Sequence, residues 1–138
     1  MKYAGLFSVF ICMLLISCGK EHSGIPDVVV NFRKPINDPA LFPLNTPGNA
    51  VEIPGYGIAG LIIYRSAFSG YRAYDRCSTV NPEQRCAVEV DDTKTIATDP
   101  CSGAVFSLED GSPAKPPAKK SLKQYSVSIA NGYLTVVN

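Results

Sequence analysis

The sequence predicts an all-β fold, a sandwich or barrel of short antiparallel strands in a single domain. No helical periodicity of any length occurs after residue 18. The chain is also rich in turn formers, with 11 Gly and 11 Pro among 138 residues. Short alternating or β-branched runs recur between turn signals, and this spacing is typical of β-sandwiches and barrels. The length suits one domain with a modest core.

The N-terminal residues predict export. Residues 4–16 form an apolar run that follows a single lysine, Lys2. As a helix this run would span roughly 20 Å, which is too short for a bilayer core of about 30 Å. A short apolar run of this kind is typical of a cleaved signal peptide.

The end of that run, Leu15-Ile16-Ser17-Cys18, resembles a bacterial lipobox. The resemblance implies that residues 1–17 are a lipoprotein signal peptide and that Cys18 carries the lipid. Each buried methylene contributes about 0.8 kcal/mol, so several acyl chains anchor a protein stably. We therefore expect a lipid-anchored protein of the bacterial cell envelope, outside the cytoplasm, with the outer membrane as the favoured location. An ordinary cleaved signal with a chance cysteine is the alternative.

The residues after the signal divide into a tether and a domain. Residues 18–27 are polar and broken by Gly and Pro, which predicts a flexible tether that contains His22, the only histidine. Residues 28–138 are expected to form one β domain. Its segment 34–49 is predicted to be extended and without helix, because proline lacks an N–H and restricts the residue before it. Strands in this half are expected at 28–32, 50–55, 57–66 and 70–76, the last two as a hairpin.

The second half of the domain shows the same pattern of short strands. A hairpin is expected between 86–90 and 95–98, and Asn131-Gly132 predicts a further hairpin turn into the last strand. The Pro/Lys-rich residues 112–120 are expected to face solvent. The remaining strands of this half are expected at 104–108 and 122–129.

Charge and motifs argue against two classes of function. The chain carries 13 Lys+Arg against 12 Asp+Glu, so no basic excess exists to bind nucleic acid. No Ser-His-Asp set, Gly-rich phosphate loop or metal-binding His pair is present. The acidic pairs Asp91-Asp92 and Glu109-Asp110 are expected in turns. We therefore expect a protein that is not an enzyme.

The order of motifs from residue 57 onward resembles a Rieske domain. In that family a strand ends in a Cys-x-His loop, and a hairpin leads to a Cys-x-x-His-Gly loop. An aromatic strand, a Gly turn, a Pro-rich segment and a final hairpin follow. The corresponding segments here are "YRAYDRCST", "CAVEVDDTKTIAT", "DPCSGAVFSLEDG", "SPAKPPAKKSLKQYSV" and "NGYLTV". The resemblance implies a Rieske-like antiparallel sandwich or barrel with two cysteine-bearing loops.

The positions that correspond to the cluster ligands carry the wrong residues. A Rieske centre needs two Cys on one iron and two His on the other. No histidine occurs in residues 28–138, and the resemblance places Asp99 at the second Cys, so Cys77 is the one ligand of four that remains. We therefore expect a domain that has lost its cluster, with no cofactor and no metal. The resemblance places Cys77, Thr79, Asp99 and Ser102 at the four ligand positions.

Cys86 and Cys101 are the other cysteines of the domain. High-potential Rieske proteins that resemble this pattern carry a disulfide between the two ligand loops. The resemblance therefore implies a Cys86–Cys101 bridge, which would contribute roughly 3 kcal/mol, and leaves Cys77 as a thiol. The residues alone leave three single pairings open. Zinc bound by these cysteines with Asp99 is disfavoured, because no C-x-x-C is present and oxidation competes outside the cytoplasm.

These observations predict a membrane-anchored lipoprotein with a binding or structural role. Its membrane contact would be the N-terminal lipid, and an unidentified protein partner is expected at the two loops, 77–86 and 99–104. The alternative is an electron-transfer or redox protein that binds a [2Fe-2S] cluster or uses reactive cysteines.

Overall fold

The computed structural model describes residues 23–138, which form ten strands and two short 3-10 helices. The predicted signal peptide (1–17), Cys18 and His22 lie outside the described residues. Neither 3-10 helix in residues 23–138 has the length needed to cross a bilayer. The strands are β1 (Asn31–Pro35), β2 (Ala50–Ile53), β3 (Leu61–Arg65), β4 (Tyr71–Asp75), β5 (Glu89–Val90), β6 (Ile96–Thr98), β7 (Val105–Ser107), β8 (Pro113–Lys115), β9 (Gln124–Ala130) and β10 (Tyr133–Val137). The 3-10 helices are Pro39–Asn45 and Pro82–Gln84.

The strands form two antiparallel sheets, as the predicted fold class requires. The larger sheet has six strands in the order β1-β10-β9-β4-β3-β2, and the smaller has four in the order β5-β6-β7-β8. β9 joins the two parts of the larger sheet, because its first residues pair with β4 and its later residues with β10. The all-β prediction is therefore confirmed.

Strand β3 lies between two hydrophobic cores. Leu61 and Ile63 belong to one core, which the larger sheet forms with the first 3-10 helix. Ile62 and Tyr64 point the other way and pack with Phe106 of the smaller sheet. Successive residues of a strand point to opposite faces, so a strand buried on both sides has a continuous apolar sequence. This explains the apolar sequence of Leu61–Tyr64. The strand predicted at 57–66 covers only Leu61–Arg65, because residues 57–59 form a turn that the Gly60 N–H closes on the Tyr56 carbonyl at 2.9 Å.

The predicted hairpins are present. β3 and β4 pair up to Arg65 and Tyr71, and β5 pairs with β6. β9 and β10 are joined by Asn131 and Gly132, whose φ angles are 51° and 77°. Positive φ at both central residues defines the type I′ turn, which matches the twist of the flanking strands.

The first strand begins three residues later than predicted. It spans Asn31–Pro35 rather than 28–32. Its partner β10 ends at Val137, which pairs with Asn31, so the earlier residues have no strand beside them. Instead, the Val30 N–H donates to the Asn138 side-chain oxygen at 3.1 Å. The position of β10 therefore decides where β1 begins.

The Pro-rich segment 34–49 contains a helix, which the sequence analysis did not expect. Residues Pro39–Asn45 form a 3-10 helix, with the Asp38 side chain capping its first turn. Leu41 and Leu44 are three residues apart, so in a 3-10 helix they lie on the same face, and both are buried. The prediction of an extended segment without helix is therefore wrong for Pro39–Asn45, because burial of the two leucines stabilises the 3-10 helix.

Two elements of the second half also differ from the prediction. The strand expected at 86–90 covers only Glu89–Val90, because Cys86 belongs to a loop in which its carbonyl accepts from Ser78 N at 2.8 Å. Pro113–Lys115 forms the short edge strand β8. Its three residues and the lysines Lys119 and Lys120 are exposed as predicted, whereas Ala118 of the same segment is buried in the core.

The packed part of the chain reaches into the segment predicted as a tether. Ile25 is 1% exposed. Lys123 Nζ donates to the Pro26 carbonyl at 2.8 Å and lies 2.6 Å from an Asp27 carboxylate oxygen. Within residues 18–27, contacts with the domain are therefore already present from Ile25 onward.

We predict that Gly111→Ala destabilises the domain by about 2 kcal/mol more than Gly132→Ala. Both glycines have φ of 77°, so alanine is strained equally at both. A Cβ at Gly111 would lie 2.7 Å from Cε1 of the buried Tyr74 ring, whereas nothing lies within 4 Å of a Cβ at Gly132. Urea unfolding of the two variants measures the difference, and equal losses would show that the Tyr74 contact is unimportant.

Candidate functional site

The two cysteine-bearing loops meet at one end of the fold. The first follows β4, and the second joins β6 to β7. A disulfide links them between Cys86 and Cys101, with 6.4 Å between the Cα atoms, and this is the pair that the resemblance implies. Cys77 also pairs with Ala87 in an isolated antiparallel bridge. The first loop therefore closes on itself before it contacts the second.

Asp99 is the polar centre of this end of the fold. Its side chain is fully buried. One carboxylate oxygen, Oδ2, accepts from the hydroxyls of Ser78 at 2.6 Å and Ser102 at 2.5 Å. The other, Oδ1, accepts from the backbone N–H of Cys101 at 2.8 Å. Asp99 thus links the two loops by hydrogen bonds.

The hydrogen bonds keep Asp99 ionised. Burial alone would raise the pKa of the carboxyl, because it removes the charged form from water. The hydrogen bonds from Ser102, Ser78 and the backbone outweigh that effect and hold its pKa below the usual value. At neutral pH the two loops therefore share a buried carboxylate.

Cys77 is a buried thiol and not a reactive one. Its sulfur lies 3.6 Å from the Pro82 carbonyl oxygen and 3.7 Å from that of Ser78, so the S–H can donate to either. Burial, followed by the nearby carboxylates of Asp75 and Asp99, raises the pKa of the thiol from 9.0 to about 11. A thiolate is the nucleophilic form, so this environment suppresses reactivity at neutral pH.

We predict that the free energy of unfolding decreases less at alkaline pH in Cys77→Ala than in the wild type. The folded thiol holds its proton up to a pKa of about 11, whereas the unfolded thiol loses it near 9.0. The buried thiol therefore makes its full contribution to the free energy of unfolding at pH values below the unfolded pKa. That contribution is lost as the pH rises through the folded pKa. The free energy of unfolding, measured with urea from neutral pH to above pH 9, should fall less steeply in Cys77→Ala than in the wild type. Parallel curves would contradict the raised pKa.

Asp75 is a second buried carboxylate, which the sequence analysis did not identify. It accepts backbone N–H bonds from Ile58 at 2.7 Å, Ala59 at 3.2 Å and Cys77 at 2.8 Å. The phenol of Tyr125 donates to it at 2.8 Å. Burial, followed by this hydrogen bond, raises the pKa of the Tyr125 phenol. Asp75 holds the loop before β3, the start of the first cysteine loop, and β9 in one arrangement.

The four predicted ligand positions do not converge on one point. Asp99 and Ser102 are bonded to each other, and Cys77 is close enough for Asp99 to raise its pKa. Thr79 instead donates its hydroxyl to the Lys120 carbonyl at 2.8 Å. The hydroxyl that reaches Asp99 from the first loop belongs to Ser78, which the sequence analysis missed. Adjacent residues point in opposite directions, and the sequence does not indicate which hydroxyl faces inward.

The residues present do not fit a Rieske [2Fe-2S] centre. Such a centre needs two thiolates and two imidazoles. Among residues 23–138 there is no histidine, and Cys77 is the one cysteine outside the disulfide. Asp99 and Ser102 already satisfy each other, and among the described residues no buried side-chain polar atom lacks a partner. The donor set is therefore that of a hydrogen-bonded structural cluster.

An open groove lies elsewhere, along the first half of β9. Its volume is about 1110 Å³. Neither cysteine loop contributes to it, so a ligand held there would not touch the loops. It is lined by Ser23, Ile25, Asp27, Tyr71, Asp110, Ser121, Leu122, Lys123, Gln124, Tyr125, Ser126, Val127 and Asn138.

Comparison with known proteins identifies the fold. No family model matches the chain, and no curated protein matches it. The cyanobacterial plasma membrane Rieske protein PetC3 from Synechocystis PCC 6803 aligns with a TM-score of 0.55 and 21% identity, over 80% of this chain and 98% of its own. A ferredoxin of Sphingomonas yanoikuyae B1 aligns with a TM-score of 0.48 and 20% identity, over 67% and 88%. A chain of the carbazole 1,9a-dioxygenase complex of reduced oxygenase and oxidized ferredoxin aligns at 0.48 and 22%, over 67% and 82%. With its two curled antiparallel sheets and paired loops, the chain has a Rieske-like β fold.

Proposed function

We propose that this chain is a lipid-anchored lipoprotein of the bacterial cell envelope whose Rieske-like domain has a binding or structural role and carries no cluster. The observation that carries the proposal is the hydrogen-bonded set of Ser78, Asp99 and Ser102, of which Ser78 and Asp99 are fully buried. It joins the two loops that the resemblance assigns to the cluster end of a Rieske domain, and its hydrogen bonds link them directly. The domain therefore has no need of a cluster to hold these loops together.

The disulfide supports a structural role for the end of the fold where the two cysteine loops meet. It closes fifteen residues between Cys86 and Cys101 and contributes roughly 3 kcal/mol by restricting the unfolded chain. Disulfides persist outside the cytoplasm, which agrees with export directed by the N-terminal residues. A rigid loop end binds a partner with a smaller loss of conformational entropy.

The exposed part of the loop end is the proposed contact surface. Residues 83–85 of the first loop are exposed, and so are Pro100, Cys101 and Gly103 of the second. Arg85 holds a left-handed backbone with φ of 51° directly before Cys86. The surface therefore consists of a polar stretch, residues 83–85, beside second-loop residues that the disulfide links to the first loop.

The lipid anchor is tested by metabolic labelling with a palmitate analogue. The wild-type protein should be labelled and should sediment with membranes. The variant Cys18→Ser should be unlabelled, whereas the matched variant Cys77→Ser should be labelled like the wild type. Labelling of Cys18→Ser would overturn the anchor.

The absence of electron transfer is tested on protein isolated from envelopes without reconstitution. The proposal expects no visible absorption band and no spectral change on adding dithionite or ferricyanide. A band that bleaches on reduction, with iron bound to the domain, would overturn the binding or structural role and support an electron carrier.

A further inference from the structure

Three exposed lysines lie on one short segment beside the first cysteine loop. Lys115, Lys119 and Lys120 belong to the Pro/Lys-rich residues 113–120, and all three side chains are exposed. The ion pairs found among residues 23–138 involve other basic residues, so none of these lysines takes part in one. Over the whole chain, 13 basic residues stand against 12 acidic ones. The segment is therefore a local positive excess on a chain whose charge is otherwise balanced.

The backbone of this segment is fixed to the domain. The Thr79 hydroxyl donates to the Lys120 carbonyl at 2.8 Å, which joins the segment to the first cysteine loop. The Ala118 N–H donates to the Lys115 carbonyl at 3.3 Å, and the Ala118 side chain is buried in the core. Proline fixes φ at its own position, and the segment contains three prolines. The lysines therefore project from an ordered backbone, which reduces the conformational entropy that binding costs.

The other charges near this segment do not neutralise it. Among the exposed charged residues of the two cysteine loops and residues 113–120, four are basic and only Glu83 is acidic. Arg85 is the fourth basic residue. Asp99 lies nearby but is buried, and hydrogen bonds from within the two loops stabilise its charge. A surface with this excess of positive charge attracts an anionic partner.

The chain leading to the proposed lipid anchor passes directly beside these lysines. A Cβ placed on Gly24 would lie 3.9 Å from Lys120 Nζ and 3.8 Å from Cγ of Pro82. Gly24 follows Cys18 by six residues, and six residues span at most about 21 Å. A lipid on Cys18 would therefore hold this end of the domain close to the membrane surface. Near an anionic membrane, each lysine strengthens binding roughly fivefold.

We propose that residues 113–120 form a membrane-contact segment, in which Lys115, Lys119 and Lys120 bind the anionic phospholipid headgroups of the membrane that carries the anchor. The inference rests on the proposed function, because the anchor at Cys18 is what brings these lysines to that surface. It extends the proposed function by naming a second membrane contact. A lipid chain combined with a basic patch holds a protein on a membrane more stably than the lipid chain alone.

The test uses the absence of tryptophan from the chain, because a single introduced tryptophan then reports on one place. Ala114→Trp places the reporter among the lysines. Ala130→Trp places it at the far end of β9, about 20 Å along the strand from Gln124. Each full-length lipoprotein is purified from membranes and reconstituted into vesicles that contain dansyl-labelled phosphatidylethanolamine. Energy transfer from tryptophan to dansyl measures how close each reporter lies to the headgroups.

We expect transfer from the Ala114→Trp reporter to be at least about twofold higher in vesicles containing phosphatidylglycerol than in vesicles of phosphatidylcholine. Added salt should remove the difference, and the Ala130→Trp reporter should show none. If the protein floats with the vesicles but transfer from Ala114→Trp is equal in both compositions, the membrane contact is overturned and the anchor stands. Protein that does not float with the vesicles would overturn both.

Two charge variants in the Ala114→Trp background locate the contact. Lys119→Gln/Lys120→Gln should remove most of the difference between the two vesicle compositions. The matched variant Lys34→Gln/Lys94→Gln removes the same charge elsewhere on the domain and should retain the difference. An equal loss in both variants would show that only the net charge of the protein matters, and this would overturn the segment as the site of contact.

Discussion

Asp75→Ala is expected to lower the free energy of unfolding by about 4 kcal/mol, the largest effect of any single change considered for this domain. The carboxylate accepts three backbone N–H groups and the Tyr125 hydroxyl, and it is fully buried. Alanine leaves these donors without a partner in a place that water does not reach. Urea unfolding followed by circular dichroism measures the loss.

Tyr125→Phe is the matched control for Asp75→Ala. It removes one of the four donors and leaves the carboxylate bonded to the backbone. We expect a loss of about 1 kcal/mol, since a single hydrogen bond contributes about that amount. If Asp75→Ala cost no more than Tyr125→Phe, the carboxylate would not hold the surrounding loops.

Asp99→Ala is expected to cost about 3 kcal/mol and to loosen the contact between the two cysteine loops. It removes the acceptor of the Ser78 and Ser102 hydroxyls and of the Cys101 N–H. Ser78 is fully buried, so its O–H would lose its acceptor, while its oxygen would still accept from the Val80 N–H. Hydrogen exchange of the Cys101 amide and chemical unfolding together measure the effect.

The control for Asp99→Ala is Ser102→Ala, which removes one donor at the half-buried edge of the cluster. A loss of about 1 kcal/mol is expected. The pH dependence gives a second check. The folded pKa of Asp99 lies below its unfolded value, so its contribution is present above the unfolded pKa and is lost as the pH falls through the folded one. Asp99→Ala should therefore flatten the acid side of the stability curve, and an unchanged curve would contradict the argument.

Local patterns predicted the hairpins of this fold and most of its strands, but not the bounds of β1, β3 and β5. Asn131-Gly132 is a turn signal that acts within four residues, and the structure has its hairpin there. The run around Ile62 is apolar because β3 is buried on both faces, and a run of this kind is visible in the sequence. Such features depend on neighbouring residues, so one sequence is enough to find them.

Features that depend on distant partners were not predicted. β1 begins at Asn31 because its partner β10 ends at Val137, which is 106 residues later in the sequence. The 3-10 helix Pro39–Asn45 forms because Leu41 and Leu44 find the core beneath them. No local pattern carries this information.

The same distinction holds for the candidate site. The resemblance to Rieske domains indicated Asp99, Ser102 and the three cysteines by position alone. It gave no reason to prefer Ser78 over Thr79, because only the folded loop decides which hydroxyl faces Asp99. Asp75 was missed because its four donors come from three separate segments of the chain.

The central claim is that this Rieske-like fold holds its two loops by hydrogen bonds and a disulfide, without a cluster. Anaerobic reconstitution of the wild-type domain with ferrous iron and sulfide tests it most directly. The account predicts that the wild-type domain takes up no acid-labile sulfide and gives no electron paramagnetic resonance signal on reduction. Two irons and two sulfides per wild-type chain, with a signal on reduction, would contradict it.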